Sequence, residues 1–580
     1  MLDQKTTEIL FSELISDILN SSAMSDKQLN NLKISYAKKY NFGKIIKNPE
    51  IIAYCDDSNR DEVIKKLNIK PVRELSGVTV VALFAKPHAC PHGKCMYCPG
   101  GIDSPFGDTP QSYTGKEPAA MRAIRNNYDP YFQIFNRLEH YVINGHMPDK
   151  LELIFMGGTF PSLEVEYRDE FVNSVYKAIN DFGDMFILID SDGRKSIDYV
   201  KFNEFFETKV DFKSEERRLR VHEKMLNLKL KNEKTLEYEI TRNETSNVRS
   251  IGLTVETKPD WALEKQVNDM LRYGVTRFEV GVQTLNEKCL KMTNRGHTLE
   301  ETKRSFQVMK DSCLKINAHM MLGLPASDLN IDEDSMLDLF RLPEYRPDML
   351  KIYPCLVVEG TPLYKMWEMG KFVPIDTPKA AEIIARTYAE IPRYVRVMRV
   401  QRDIPTTEVQ EGVRNSNLRQ YVDKEMEKHN IVSKDIRARE IGFRQKEGVE
   451  MGTFDIKVES YDSSGGKDYF LDVADENDTM IGFIRLRFPF QTDLRPEIDA
   501  KTSLIRELHI YGQTIPVGDD ASDNLVQHKG WGRKLLARAE EIAKENGFEK
   551  MAIISGVGVR EYYRKFGYEL EGPYMVKSLK

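Results

Sequence analysis

Three cysteines fall within nine residues, Cys90-Pro-His-Gly-Lys-Cys95-Met-Tyr-Cys98, and Pro-Gly-Gly follows directly. Three thiolates can hold three irons of a four-iron cluster and leave the fourth open, whereas such clusters ordinarily take four cysteines. The amine and carboxylate of S-adenosylmethionine can chelate an open iron, and one electron then cleaves that cofactor to a radical. A zinc ion with His88 or His92 as fourth ligand is the competing reading. The other four cysteines, Cys55, Cys289, Cys313 and Cys355, stand alone. An odd, sparse count excludes a disulfide framework, and these four are expected as buried thiols.

A second constellation lies near the C-terminus. Gln527-His-Lys-Gly530-Trp531-Gly532-Arg533 opens a segment where Leu535, Leu536, Ala539, Ile542 and Ala543 recur at helical spacing. Glycines at a helix start let bare amides approach a pyrophosphate, and the helix dipole favours the anion. A glycine-rich turn alone is a weak signal, because a ligand-free tight turn has the same composition. Gln-x-x-Gly-x-Gly is nevertheless shared with acyl-coenzyme A-binding acetyltransferases of the GNAT type. Glu507-Leu508-His509-Ile510 precedes the turn, and Tyr562 and Tyr563 follow it. Either phenol can protonate a leaving thiolate; the plainer reading of both is a core aromatic with a satisfied hydroxyl.

Positioning these groups requires elements that alternate in type. From about 76 to 360, β-rich runs at 78–85, 151–156, 251–257, 278–282, 316–322 and 350–358 are separated by helical segments. Strand then helix, repeated, means an α/β layer or partial (β/α)6 barrel with parallel strands. Ligands in such folds sit at the carboxyl ends of the strands. The cysteine loop follows the first run, Gly157-Gly158-Thr159 the second, Glu256 ends the third and Gln283 follows the fourth. Gly157 and Gly158 are expected to let backbone approach the cofactor's amine, and Glu256 to accept a ribose hydroxyl.

The domain reading is 1–75, a helical and basic segment; 76–402, the barrel with a charged insertion at about 181–247; 403–449, a polar connector; and 450–580, an α+β domain. Ile9, Leu10, Leu14, Ile15 and Ile18 give the first helix its apolar side. Within the insertion, the run from Asp190 imitates a calcium loop. Lys195 stands where the turn needs glycine and Lys201 where the ion needs glutamate, which excludes calcium.

Charge is uneven on a chain of net −6. Lys27, Lys33, Lys38, Lys39, Lys44 and Lys47 are interleaved with Tyr36, Tyr40 and Phe42, and Arg393, Arg396, Arg399 and Arg402 form a second run. Lysines with aromatic rings suit RNA, and a solvated basic face is the equal alternative. The longest apolar run is too short for a bilayer, and the N-terminus lacks a secretory signal pattern. A cytoplasmic protein is expected.

Both sites in this order resemble the Elongator catalytic subunit family in its archaeal and bacterial stand-alone form. The motifs are the cysteine loop, Gln111-Ser-Tyr-Thr-Gly-Lys-Glu-Pro118, Met121-Arg-Ala-Ile-Arg125, Met156-Gly-Gly-Thr-Phe160 and Gly252-Leu-Thr-Val-Glu-Thr-Lys-Pro-Asp-Trp261. Asn294-Arg-Gly-His297 and Ile554-Ser-Gly-Val-Gly558 complete them. The resemblance implies a radical S-adenosylmethionine domain fused to a GNAT domain that builds a carboxymethyl group on C5 of the tRNA wobble uridine. It implies that Cys90, Cys95 and Cys98 hold a [4Fe-4S] cluster, and that Lys150 matches the family lysine of the acetyl-CoA site. Glu507 to Ile510, Trp531 to Arg533 and Tyr563 match the acetyl-CoA contacts. The implied reaction has a cofactor-derived radical take hydrogen from the acetyl methyl; the new carbon radical adds to uridine C5, and the thioester is hydrolysed. The implied partners are tRNA, acetyl-CoA and an electron donor, with no membrane; a homodimer is left open.

The chain departs from the family pattern twice. Four residues separate Cys90 from Cys95, against three in the commonest radical enzymes. Ala438 stands where many relatives carry a cysteine associated with zinc, so no zinc site of that kind is expected. Two rival readings are a protein lysine acetyltransferase and a non-catalytic tRNA-binding scaffold.

Overall fold

Residue-by-residue alternation builds the first sheet. Its strands are β1 (Thr79–Phe84), β2 (Lys150–Met156), β3 (Arg249–Thr257), β4 (Arg277–Gln283), β5 (Lys315–Leu322), β6 (Met349–Pro354) and β7 (Arg396–Arg399). Successive side chains face opposite sides, so Leu151, Leu153, Phe155, Phe278, Val280 and Val282 enter the main apolar core. Glu152, Arg277, Glu279, Gln283, Lys315, His319 and Lys351 face the interior cavities instead. All seven strands pair in parallel and in chain order, forming a half-barrel. The computed structural model describes residues 2–22, 24–67, 77–212, 214–511 and 530–580.

Six strands were expected from the sequence, and the seventh corrects that count. β7 was hidden inside the arginine run: two of its four residues are arginines, and Val397 is its one buried side chain. The run is not a free basic patch either. Arg393 pairs with Asp472 and Asp478, Arg396 with Glu440, and Arg399 with Asp403. Arg402 donates to the Ser112 carbonyl at 2.8 Å.

At the N-terminus, α1 (Gln4–Asn20) and α2 (Asp26–Lys39) build a satellite core around Leu10, Phe11, Leu14, Ile15 and Ile18. Ile9, expected on that apolar side, is exposed, and Phe11 takes the place. Three of the six lysines have internal partners: Lys33 with Asn48, Lys39 with Glu13, and Lys44 with Glu50. Tyr36 is buried and Phe42 packs edge-on against Phe11, so those rings are not open platforms for bases.

The insertion continues α3 (Val165–Phe186), turns through a hairpin of Ile187–Ile189 and Lys195–Ile197, and returns by three helices. Asp190 Oδ1 accepts the amides of Asp192 and Arg194 at 2.9 and 2.8 Å. The residue that imitated a calcium ligand is therefore tied into a hairpin turn. Residues 403–449 carry α4 (Leu418–Lys428) and two short helices, and α4 packs on the helix Thr377–Glu390.

The last domain is a mixed sheet of β8 (Asp455–Ser463), β9 (Gly466–Ala474), β10 (Met480–Phe488), β11 (Thr502–Ile510), β12 (Lys550–Ile554), β13 (Glu569–Glu571) and β14 (Tyr574–Ser578). Its order is β8-β9-β10-β11-β12-β14-β13, and only β11 and β12 run parallel. The β10–β11 ladder skips Arg506, a bulge, and the β11–β12 ladder ends at Ile505 opposite Ile553. Bulges re-aim a side chain and bend the strand. Here the bulge sends Arg506 into the barrel domain, where it meets Asp348 at 2.6 Å with both side chains fully buried. The same departure leaves residues 506–510 diverging from β12.

Candidate active site

The cysteine loop is pinned to the barrel through its backbone. Cys98 N–H donates to the Cys95 carbonyl at 3.0 Å, Met96 N–H to the Thr293 carbonyl at 3.0 Å, and Asn294 Nδ2 to the Lys94 carbonyl at 3.0 Å. Cys95 and Cys98 are buried, Cys90 is half-buried, and all three are free thiols. Burial first, then the neighbouring Cys98 thiolate, pushes the Cys90 thiol up to about 11. Arg295, with Nη1 3.7 Å from Cys95 Sγ, supplies a compensating charge.

Gly157 and Gly158 form the floor, at φ +118° and +106°. A Cβ on Gly158 would lie 2.8 Å from Gln111 Cβ. Glu256 accepts Gly157 N–H at 3.0 Å and Tyr113 O–H at 2.8 Å, so its carboxylate already braces the floor. Gln283 stands at φ +74°, unusual for a residue with a side chain, and its buried Oε1 has no partner. Gly158, Gln111, Tyr113, Glu256 and Gln283 line a cavity of about 120 Å³.

Below it, the lumen is polar. Register sets Glu256 beside Glu279, Glu279 beside Asn317, and His319 beside Lys351. Glu279 Oε2 meets Lys351 Nζ at 2.7 Å and His319 Nε2 at 2.5 Å, and its Oε1 accepts Asn317 Nδ2 at 3.1 Å. Burial alone would raise the Glu279 carboxyl; Lys351, His319 and Arg277 outweigh it and hold the group well below the usual carboxylate range. Arg277 pairs onward with Glu152 at 2.5 Å.

A second cavity of about 1940 Å³ lies between the lower lumen and the GNAT-like sheet. It takes in Lys150 at the start of β2, Glu507 to Ile510 on the diverging end of β11, and Tyr562 and Tyr563 on the short helix Arg560–Arg564. Lys150 thus stands at the opposite end of its strand from the glycine floor. Glu507 is held by Arg485 Nε at 2.8 Å. Gly530, at φ +70°, caps α5 (Trp531–Glu545), and a Cβ on Gly532 would come 2.6 Å from the Tyr562 hydroxyl. Trp531 Nε1 is buried without a partner, and Arg533 is exposed. Burial raises both tyrosine hydroxyls, that of Tyr563 further. Gln527 lies outside the described residues.

The two cavities share a wall of Glu279, Lys351 and Arg399. Sequence reasoning missed Glu279 and Lys351, together with His319 and Arg277, gave Tyr113 no role, and read Arg399 only as part of a basic run. Their signal was the alternation Arg277-Phe-Glu279-Val-Gly281-Val-Gln283, a strand with one polar face where a closed α/β core would have none.

Among the described residues, no three His, Cys, Asp or Glu side chains converge where a single metal ion could sit. Zinc needs its ligands within about 2.0–2.3 Å of one centre, whereas a four-iron cluster takes each thiolate on a separate iron. The free thiols, the side-chain-free floor and the orphaned Gln283 oxygen fit a cluster with a small polar ligand.

Comparison with known proteins agrees. The Radical SAM superfamily matches residues 86–334, the Radical_SAM C-terminal domain 347–428, the ELP3 N-terminal domain 7–75 and the Acetyltransferase (GNAT) family 438–568. The Radical SAM domain implies a [4Fe-4S] cluster and S-adenosylmethionine, and the GNAT domain implies acetyl-CoA. The chain is 41% identical to a tRNA uridine(34) acetyltransferase of Methanocaldococcus jannaschii, over 99% of this chain and 98% of that one. It is 39% identical to Homo sapiens Elongator complex protein 3, over 96% of this chain and 94% of the relative. The solved structure of an N-terminally truncated Methanocaldococcus infernus Elp3 superposes with a TM-score of 0.69 at 37% identity, covering 87% of this chain and 99% of that one. Among the described residues no helix is long and apolar enough to cross a membrane. The chain belongs to the family of tRNA uridine(34) acetyltransferases and Elongator complex protein 3.

Proposed function

We propose that this chain is a tRNA uridine acetyltransferase that builds the 5-carboxymethyl group on the wobble uridine, taking its two carbons from acetyl-CoA. The observation that carries the reading is the shared wall of Glu279, Lys351 and Arg399 between the cysteine cavity and the larger one. A donor entering from the GNAT side has only that polar layer between its acyl end and the cysteine chamber.

Cys90, Cys95 and Cys98 would hold the [4Fe-4S] cluster, which with S-adenosylmethionine supplies a hydrogen-abstracting radical for carbon–carbon bond formation. Gly157, Gly158 and Gln283 would shape the floor under that cofactor, and Glu256 holds the floor through Gly157. Gly530 to Arg533 would present helix amides to the pyrophosphate of acetyl-CoA. Gln527, outside the described residues, is proposed as a further acetyl-CoA contact. Residues Glu507 to Ile510, diverging from β12, would take the pantetheine chain, and Lys150 would face it from the barrel. Tyr562 and Tyr563 would donate near the thioester; a tyrosine hydroxyl is protonated at neutral pH, and burial raises both further.

The enzyme would act in the cytoplasm with tRNA and a one-electron donor. The lysine-acetyltransferase reading needs a free carboxylate base, and Glu507 is tied to Arg485. The test is anaerobic reconstitution with iron and sulfide, then incubation with tRNA, acetyl-CoA, S-adenosylmethionine and reductant. Carboxymethyluridine in the digested tRNA, absent from the triple cysteine-to-alanine variant, is the expected result. Transfer of acetyl to lysine peptides by that variant, with unmodified tRNA from the wild type, would overturn the reading.

A further inference from the structure

His319 projects from β5 into the cysteine chamber, where it lines the same cavity as Cys90, Cys95 and Cys98. Its Nε2 lies 2.5 Å from Glu279 Oε2. A carboxylate only accepts hydrogen bonds, so Nε2 carries the proton and Nδ1 keeps a lone pair. That nitrogen has no hydrogen-bond partner among the described residues. Glu279 is fixed in its charged form by Lys351 Nζ at 2.7 Å, by Asn317 at 3.1 Å and by the Arg277 guanidinium at 3.6 Å. Tyr353 packs edge-on against the imidazole, with centroids 5.4 Å apart.

The charged or titratable groups facing His319 are Glu279 on β4, Lys351 and Tyr353 on β6, and Glu256 on β3. Burial and Lys351 outweigh the two carboxylates and keep the ring neutral. A neutral histidine, oriented by a carboxylate and offering a free nitrogen to a chamber, is the arrangement of a general base.

We propose that Glu279 and His319 are a hydrolytic dyad, in which His319 Nδ1 takes the proton from the water that cleaves the coenzyme A thioester. The inference rests on the proposed function. The water oxygen bonds to the thioester carbonyl carbon as its proton passes to Nδ1. The carbon–sulfur bond then breaks, and the same proton goes to the leaving sulfur. The products are a carboxylic acid and coenzyme A thiol, with no electron gained or lost. Placement of the base in the cysteine chamber, and not beside Tyr562 and Tyr563, confines hydrolysis to thioesters whose acyl end has passed from the tyrosines beyond the Glu279–Lys351 pair. Lys351 acts through Glu279 as a positioning residue.

Two measurements test this. In reconstituted holoenzyme with tRNA, His319→Gln should shift the ratio of thioester-linked to free carboxymethyl product on uridine by about 100-fold, the contribution expected of a general base. The ratio is read by mass spectrometry and normalised to 5′-deoxyadenosine formed. In cluster-free wild-type protein, 15N NMR of labelled histidine should show His319 neutral and protonated at Nε2 at pH 7. Free carboxymethyluridine from His319→Gln at the wild-type ratio would overturn the dyad, as would an imidazolium or an Nδ1-protonated ring. Should the variant make neither form, the tautomer decides. Failure of the wild type to modify uridine would overturn the proposed function instead, and the two failures are distinct.

Discussion

Glu279 Oε2 and Lys351 Nζ lie 2.7 Å apart at the level where the cysteine chamber and the larger cavity meet. The partition between the two chambers is therefore a salt bridge and not an apolar plug. A buried pair is costly to leave half-made. Arg277 and Glu152 continue the charged column toward Lys315 and Glu507.

Gly532→Ala separates ligand binding from folding. The added methyl would stand 2.6 Å from the hydroxyl of Tyr562, which lines the larger cavity. Alanine within a helix is worth up to about 1 kcal/mol over glycine, so thermal stability should hold or rise. Acetyl-CoA affinity should fall by roughly tenfold, about 1.4 kcal/mol. Isothermal titration beside thermal unfolding checks both; unchanged affinity would free Tyr562 from this role.

Gly158→Ala strains the chamber floor. Its φ of +106° is foreign to alanine, and the methyl would press on Gln111 at 2.8 Å. The cost is about 1–3 kcal/mol. Because Gln111 also holds Cys98 Sγ at 3.2 Å, iron and sulfide per chain should drop after reconstitution while acetyl-CoA titration stays intact.

Asp348→Asn loosens the two domains. Arg506 and Arg485 would be left facing a neutral amide in a fully buried site, a loss of about 3–5 kcal/mol readable as a lower urea midpoint. Burial would raise the Asp348 carboxyl, but Arg506 and Arg485 hold it far below the carboxylate range. Its stabilisation is thus complete above about pH 4, the unfolded value, and is lost as pH falls through the lower folded value. The gap between variant and wild type should narrow only in strong acid.

The lysines of the N-terminal segment should divide by pairing. Lys27, Lys38 and Lys47 are exposed and carry no ion pair among the described residues. Replacing these three should lower the log–log salt slope of tRNA binding by about 2, at about 0.7 per phosphate contact. Replacing Lys33, Lys39 and Lys44 should change the slope by less than about 1 and cost stability instead.

The strand–helix rhythm, the loop after β1 and the amphipathic helix at Trp531 were legible because each is local in sequence. The register that brings Glu279 to His319 and Lys351 was not, since it depends on three strands pairing in parallel. The alternation in β4 and β5 carried half of that information: Lys315-Ile-Asn317-Ala-His319 has one apolar and one polar face, and in a barrel the polar face lines the lumen. Arg506 gave no such sign. A buried arginine reads as a surface residue until the bulge and its Asp348 partner are both seen. Arg396 misled for the same reason, since its partner Glu440 is remote in the chain, whereas Arg399 pairs with Asp403 only four residues on.

Transfer of hydrogen between the two sites tests the central claim most directly. With acetyl-CoA deuterated at the methyl group, tRNA, S-adenosylmethionine and reductant, the reconstituted protein should yield 5′-deoxyadenosine carrying one deuterium. Turnover that yields 5′-deoxyadenosine and modified uridine, with no deuterium in the nucleoside, would contradict it.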